Sequence, residues 1–314
     1  MNVLLHYLAS PGFRAALEQA CPDDVALTIV DAADDAVFHR ALPETEAILH
    51  VLRPLLASDI AQAPKLKLIQ KIGVGVNTID LDAARRGGVA VCNMPGTNSQ
   101  AVAELALMLM LAALRRASYF DGLIRRGDGW RPDAAALDNV GEIAGRTVGL
   151  VGFGAIPQRL TPVLRGLGAK VIYTARNSRP AAEAEFVTLD ALLGQSDIVS
   201  LHCPATPETI SMISRAAIAR MKPGSVLVNT ARGELVDEAA LIDALRSGHL
   251  RAAGLDVFGR EPPAADNPLF KLSNVVLTPH IGWLTPETLA RSMTVAFENC
   301  RRVAAGEALL HRVV

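Results

Sequence analysis

Val148-Gly-Leu-Val-Gly152-Phe-Gly154-Ala155-Ile156-Pro157 is an apolar run of strand length that breaks at two glycines and continues into residues able to open a helix. Gly152 permits a tight turn, and Gly154 lets backbone approach a pyrophosphate held at the positive end of the following helix. The third glycine of the dinucleotide fingerprint is replaced by Pro157. A first helical turn tolerates proline there, because its absent N–H would lack an intrahelical partner. A bare Gly-x-Gly is also an ordinary turn. What favours a nucleotide is the order of strand, turn and helix.

The following strand ends Tyr173-Thr-Ala175-Arg176-Asn-Ser-Arg179. An NAD-binding unit normally carries an acidic residue here for the ribose 2′-hydroxyl. A guanidinium in its place can bind a 2′-phosphate bidentately. The expected cofactor is therefore NADP(H), with NAD(H) possible. The alternative reading of Arg176 is a solvated loop residue.

Outward from this point, Val/Ile/Leu-rich runs alternate with helical stretches in both directions. Upstream lie Val3–Tyr7, Val25–Val30, Ala47–Leu52, Leu66–Ile72 and Val89–Val91, with candidate helices Gly12–Ala20 and Leu81–Arg86 among them. Downstream lie Ile198–Leu201, Val226–Asn229, Ala253–Val257 and Val275–Leu277. Continuous apolar strands between helices mean parallel sheets covered on both faces, so the expected class is α/β with two doubly wound halves. A long helix pattern from Ser99 to Arg116 is apolar on nearly every side, which places it between domains or against a second subunit. Asp121–Ile143 reads as a linker or arm. A closing helix opens with Thr285 as N-cap and Pro286 behind it.

The bulk numbers exclude other classes. A chain of 314 residues exceeds one core and predicts two domains. A net charge of −1 offers no electrostatic basis for nucleic acid or an anionic membrane. The most hydrophobic stretch, Ala101–Leu114, contains Glu104 and is too short for a bilayer. Cys21, Cys92, Cys203 and Cys300 show no CxxC pairing, which argues against a metal site or a disulfide framework and for a reducing cytoplasm. MNVLLHYLASPG has no basic n-region and reads as a first strand rather than a signal peptide.

Three loops carry candidate chemistry. Asn229-Thr230-Ala231-Arg232-Gly places an arginine after a strand; Asp256-Val-Phe-Gly-Arg-Glu261-Pro places two carboxylates after the next; Thr278-Pro-His280-Ile-Gly282 places a histidine after the last. In an open parallel sheet the carboxyl ends of strands face the cofactor crevice, so the three loops converge there. A lone histidine after a strand is usually packed or solvated. His280 departs from that expectation because Arg232 and Glu261 accompany it.

With these loops, Lys71-Ile-Gly-Val74-Gly75-Val-Asn-Thr-Ile-Asp80, Val102-Ala-Glu104-Leu and Leu201-His-Cys203-Pro204 complete a pattern that resembles the D-isomer-specific 2-hydroxyacid dehydrogenases across nearly the whole chain. The resemblance implies a Rossmann cofactor domain (97–282) inserted into a flavodoxin-like substrate domain (1–96 and 283–314), with homodimers formed through the former. It makes Arg232 the group that binds the substrate carboxylate and polarises its carbonyl. His280 becomes the acid/base and Glu261 its carboxylate partner. It assigns the Val74 and Gly75 N–H groups to the substrate carboxylate, and Asp256 to the nicotinamide amide. Gly152, Gly154, Ala155, Ile156, Arg176, Cys203, Pro204, Thr209, Thr230, Ala231 and Gly282 fall around the cofactor. Trp283, three residues past His280, lines the substrate pocket or simply packs. His202 reads as structural, Trp130 as packing, and Cys203 as a small buried residue, not a nucleophile.

Departures from the pattern bear on substrate. Phosphoglycerate dehydrogenases usually read Arg-Ser where this chain has Val51-Leu52; Arg53 lies beyond and is expected to point elsewhere. The chain ends at Val314 without a regulatory C-terminal domain, and Ala155 removes one phosphate contact common in relatives. Tyr173-Thr-Ala-Arg176 is similar to glyoxylate/hydroxypyruvate reductases. The expected function is hydride transfer between NADP(H) and a small 2-keto or D-2-hydroxy acid. The alternatives are a D-3-phosphoglycerate dehydrogenase-like enzyme and a nucleotide-sensing corepressor of the same fold.

Overall fold

The computed structural model describes residues 1–132, 134–179 and 183–314. It divides into two compact units, Met1–Asn98 with Trp283–Val314, and Ser99–Gly282.

The first unit is a five-stranded parallel sheet of β1 (Asn2–His6), β2 (Ala26–Val30), β3 (Ala47–His50), β4 (Leu68–Lys71) and β5 (Ala90–Cys92), in the order β2-β1-β3-β4-β5. Successive side chains point to opposite faces of a strand. Val3 and Leu5 therefore meet Phe13 and Leu17 of the helix Pro11–Ala20 and Met293 and Phe297 of the helix Pro286–Ala305, while Leu4 meets Phe38 and Leu42 on the other face. The closing helix starts as its sequence requires, with Thr285 accepting the N–H of Thr288.

The second unit is a seven-stranded parallel sheet. Its strands are β6 (Thr147–Val151), β7 (Lys170–Thr174), β8 (Glu185–Phe186), β9 (Ile198–Leu201), β10 (Ser225–Asn229), β11 (Leu250–Leu255) and β12 (Val275–Leu277). Their order is β12-β11-β10-β9-β6-β7-β8. Chain direction across the sheet reverses around β6, which pairs with β7 on one side and β9 on the other. The loops that leave β6 and β9 in opposite directions open a crevice at their carboxyl ends. Helices Ser99–Arg115 and Ala155–Gly166 cover one face, and Leu189–Gln195, Arg215–Arg220 and Glu238–Ser247 the other.

Two segments differ from the sequence reading. Part of the expected linker is helix, at Ala117–Arg125 and Ala134–Asp138. The first of these follows a left-handed break at Arg116 (φ 51°), whose guanidinium lies 4.2 Å from the Tyr119 ring, and an Asp121–Arg125 pair at 2.8 Å supports it. Its Phe120, Leu123 and Ile124 follow helical spacing, yet no side chain of that helix is fully buried. The long helix Ser99–Arg115 buries one face on the sheet but leaves Met108 and Leu111 exposed. Among the described residues no helix is long and apolar enough to cross a membrane.

Close approach of helix to sheet depends on Gly149 in β6, where a side-chain carbon would overlap Ser196 Oγ and lie 2.6 Å from Leu192. Gly149→Ala should therefore destabilise the fold by about 1–3 kcal/mol, the usual range for overpacking a core. A urea midpoint equal to that of the parent would show that the helix can retreat freely.

Candidate active site

The nucleotide cradle is built from β6 outward. Gly152 has φ +96°, and a Cβ there would sit 2.8 Å from the His202 carbonyl, so both backbone and space demand glycine. Gly154 caps the helix Ala155–Gly166 and nothing lies within 4 Å of the place its Cβ would take. That open position, facing the free N–H groups of Ala155 and Ile156, suits an approaching pyrophosphate. Pro157 removes the third donor, and the neighbouring Gln158 side-chain amide instead donates to the Phe153 carbonyl at 3.1 Å. Phe153 stacks on Tyr173 at 3.9 Å, and the Tyr173 hydroxyl accepts the Arg179 N–H at 2.7 Å. This staple shapes the turn that presents Arg176, which is exposed.

Across from Arg176 lies a turn that Thr209 organises. Its hydroxyl accepts the Thr206 N–H at 2.8 Å and donates to the Pro204 carbonyl at 2.7 Å. Glu208 on this turn has its carboxyl lowered by a hydrogen bond from Thr206, by its own backbone, and by the charge of Arg176. An acidic neighbour of Arg176 was not visible from sequence, since the two are thirty-two positions apart. Cys203 sits 3.6 Å from the Met212 sulfur, and burial pushes its thiol up to about 11, so it stays protonated and non-nucleophilic. His202 is half-buried, with Nε2 2.9 Å from Ser200 Oγ.

The loop after β10 is clamped by Asn229, whose side chain accepts the Ala231 N–H at 3.0 Å and donates to the Arg232 carbonyl at 2.8 Å. Sequence reasoning quoted Asn229 without a role; the signal was an asparagine two residues before a turn residue. Thr230 Oγ1 is buried with no hydrogen-bond partner among the described residues. Gly233 must lack a side chain because a Cβ would overlap the Phe258 carbonyl. This close contact seats the Arg232 loop against the Glu261 loop. Arg232 is half-buried; burial lowers its proton affinity, while the charges of Glu234 and Glu261 act to restore it.

Glu261 Oε2 lies 2.6 Å from His280 Nδ1, and Oε1 accepts the Phe258 N–H at 3.1 Å. Burial tends to raise the Glu261 carboxyl, but the bond and charge of His280, the Phe258 N–H and Arg232 together bring it below the ordinary carboxylate value. An ionised carboxylate only accepts, so His280 Nδ1 carries the proton and Nε2 is left for a reacting group.

His280 itself adopts φ +54°, an uncommon conformation for a residue with a Cβ. Asp256 holds it there. Its carbonyl accepts the His280 N–H at 2.8 Å, Oδ1 accepts Thr278 Oγ1 at 2.6 Å and the Ile281 N–H at 2.9 Å, and Oδ2 accepts the Gly282 N–H at 2.9 Å. Burial raises the Asp256 carboxyl and these bonds oppose the rise. Asp256 is thus above all the organiser of the histidine loop. Gly282 is small because its Cβ would lie 3.0 Å from Asp256 Oδ2.

In the first unit, the Val74–Gly75 loop follows β4. It is fixed by Asn93, which donates to the Val74 carbonyl at 2.9 Å, and by the Met94 N–H on the Gly73 carbonyl at 2.8 Å. Trp283 is buried in this unit's core, edge-on to Tyr7 at 5.7 Å and Phe13 at 6.4 Å. Packing accounts for its indole. Arg53 pairs with Asp35 at 3.0 Å and Asp59 at 3.3 Å and lies 4.6 Å from the Phe38 ring.

The comparisons with known proteins agree with this architecture. Residues 107–282 match the profile of "D-isomer specific 2-hydroxyacid dehydrogenase, NAD binding domain". The chain is 43% identical to a D-3-phosphoglycerate dehydrogenase of Mycobacterium leprae over 92% of its length, covering 54% of that protein. It is 41% identical to a glyoxylate reductase of Thermococcus litoralis, over 84% of this chain and 82% of that one. The crystal structure of the TT0316 protein from Thermus thermophilus superposes with a TM-score of 0.88 at 36% identity over all of both chains. The chain belongs to the D-isomer specific 2-hydroxyacid dehydrogenase family, and it spans about half the length of the phosphoglycerate dehydrogenases it matches.

Burial holds both His202 and His50 down to about 3. The folded chain refuses protons that the unfolded chain takes up below about pH 6.5, so stability is full above that value and falls as the pH drops toward about 3. Each histidine adds a slope of about 1.4 kcal/mol per pH unit within that window. His202→Gln should remove one such slope in urea titrations between about pH 5 and 6; a slope equal to the parent's would mean that His202 titrates freely in the fold.

Proposed function

We propose that this chain is a nicotinamide-dependent oxidoreductase that reduces small 2-keto acids to D-2-hydroxy acids, of the glyoxylate or hydroxypyruvate type, with NADP(H) preferred over NAD(H). The observation that carries the reading is the 2.6 Å Glu261–His280 pair, with Arg232 close enough for its charge to act on Glu261. The residues present fit a dinucleotide: the open position at Gly154, the donors of the helix behind it, and the orphaned Thr230 hydroxyl all await an outside partner. The bound nicotinamide supplies or accepts the hydride.

The chain's own residues do the rest. Arg232 binds the substrate carboxylate and draws charge toward the carbonyl oxygen. His280 Nε2 delivers a proton to the oxygen as it becomes an alkoxide, and takes one back in the oxidation direction. Glu261 steadies the ring in the tautomer this needs and balances the charge it acquires when protonated. Gly152, Gly154, Ala155, Ile156, Cys203, Pro204, Thr209, Thr230, Ala231, Asp256 and Gly282 line or shape the cofactor site.

The engagement of Arg53 by two carboxylates supports a substrate without a phosphate, because that guanidinium is already neutralised. The 43% identity to a D-3-phosphoglycerate dehydrogenase favours the second reading, a phosphorylated hydroxy acid. The exposed Met108 and Leu111, and a Trp130 that is 93% exposed, support a homodimer formed through the second unit.

The deciding experiment follows loss of reduced-nicotinamide absorbance with glyoxylate, hydroxypyruvate and 3-phosphohydroxypyruvate, each with NADPH and NADH. Turnover fastest with a short unphosphorylated acid and NADPH is expected; no turnover with any of the three would sink the enzymatic reading and favour a nucleotide-sensing role. His280→Asn should lower kcat at least a hundredfold, in keeping with the usual contribution of a general acid, and leave cofactor affinity nearly intact. Arg176→Asp should invert the cofactor preference. An unchanged ratio of kcat/KM for the two cofactors would remove Arg176 from the 2′-phosphate.

A further inference from the structure

The second unit carries a group of charges that the proposed chemistry does not use. Arg146 immediately precedes β6, Arg251 is the second residue of β11, and Arg116 forms the break between the helices Ser99–Arg115 and Ala117–Arg125. Arg146 and Arg251 lie at the amino ends of their strands, whereas the nucleotide cradle lies at the carboxyl ends. The guanidinium groups of Arg146 and Arg251 crowd one point. A side-chain carbon on Gly141 would lie 2.7 Å from Arg146 Nη2 and 3.1 Å and 3.2 Å from the two terminal nitrogens of Arg251.

The acceptors these side chains have are neutral. Arg146 Nε donates to the Glu142 carbonyl at 2.6 Å, Arg251 Nε to the Asn139 carbonyl at 3.0 Å, and Arg116 Nη2 to Ser273 Oγ at 3.4 Å. The carboxylate whose charge balance involves Arg146, Asp197, is held by Lys222 at 2.5 Å and by the Thr147 N–H at 2.8 Å. Burial lowers the proton affinity of Arg251, and the charges of Arg146 and Arg116 lower it further. Two nitrogens, Arg116 Nε and Arg251 Nη2, are sealed from solvent without any acceptor among the described residues. Buried donors of this kind are rare and point to an unseen partner. Arg251 has two like charges acting on it and no carboxylate among the groups that shift it, which specifies the sign of that partner.

We propose that Arg116, Arg146 and Arg251 form a binding site for a phosphate-class oxyanion, remote from the nucleotide cradle. Guanidinium forks match the oxygens of such an anion bidentately, and their flexible stems allow the sealed donors to turn onto it. Occupied, the site ties together the Arg116 break, the Asn139–Gly141 turn and the starts of β6 and β11. The ligand then acts on the stability of this edge, not on the chemical step.

Inorganic phosphate is the probe. At tenfold excess over its Kd it should raise the Tm of the protein saturably by about 2–4 °C, beyond any effect of potassium chloride at the same ionic strength. Arg146→Gln and Arg116→Gln, each compared with its own phosphate-free Tm, should lose most of that rise; phosphate bound at the nucleotide cradle survives in both and drops out of the difference. A rise that persists undiminished in both variants, or one that chloride reproduces, overturns the site. So does an absence of any phosphate effect while the variants turn dimers into monomers in sedimentation, because a carboxylate of a second copy would then fill it.

Discussion

A buried carboxylate governs the candidate site. Asp256 is almost wholly shielded from water, and a charge in that position is tolerable only if hydrogen bonds replace its hydration. The replacements are the Thr278 hydroxyl and the N–H groups of Ile281 and Gly282, all from one stretch of chain. Satisfying Asp256 therefore forces that stretch into a single shape, with His280 left-handed at its centre. The unfavourable backbone of His280 costs on the order of 1 kcal/mol, which three charge-assisted bonds readily offset. The ring is aimed by the needs of a neighbour that does not touch it.

The same logic separates the histidines. His50 and His202 are buried among groups that offer no carboxylate, and both are kept neutral far below their ordinary range. Neither can exchange protons at moderate pH. His280 is half-buried with a carboxylate 2.6 Å from its ring. The three rings share one chemistry and differ in their surroundings.

Much of this was legible in the sequence, for identifiable reasons. Parallel strands buried on both faces leave unbroken apolar runs, so Ile198–Leu201 and Val275–Leu277 have the expected ends. Arg232, Glu261 and His280 follow three adjacent strands, and strand adjacency in a doubly wound sheet brings loops together. Through-space constraints were not legible. Gly233 yields to the Phe258 carbonyl, Asn229 clamps its own turn, and Glu208 reaches Arg176 from another loop. The start of β11 at Leu250 was hidden because Arg251 interrupts the apolar run. The helix Ala117–Arg125 has apolar spacing at Phe120, Leu123 and Ile124, but Gly127, Gly129 and Pro132 beyond it gave the segment the character of a linker. Trp283, with two places open to it in the sequence, packs edge-on against Tyr7 and Phe13.

What an arginine does here is decided by what neutralises it. Arg53 is compensated within its own unit by Asp35 and Asp59, and that compensation weakens any case for it as a phosphate receptor. Arg232 lies beside the charges of Glu234 and Glu261, and Glu261 is also bonded to His280. Arg176 has only the partial company of Glu208 on an exposed turn, where water screens both charges strongly. On such a turn the selectivity of an arginine for an anion rests on the geometry of its fork as well as on charge. Arg116, Arg146 and Arg251 stand at the far end of this series, with neutral acceptors and one another for neighbours. Among the described residues, the sealed donors of Arg116 and Arg251 lie where an anion from outside would satisfy them.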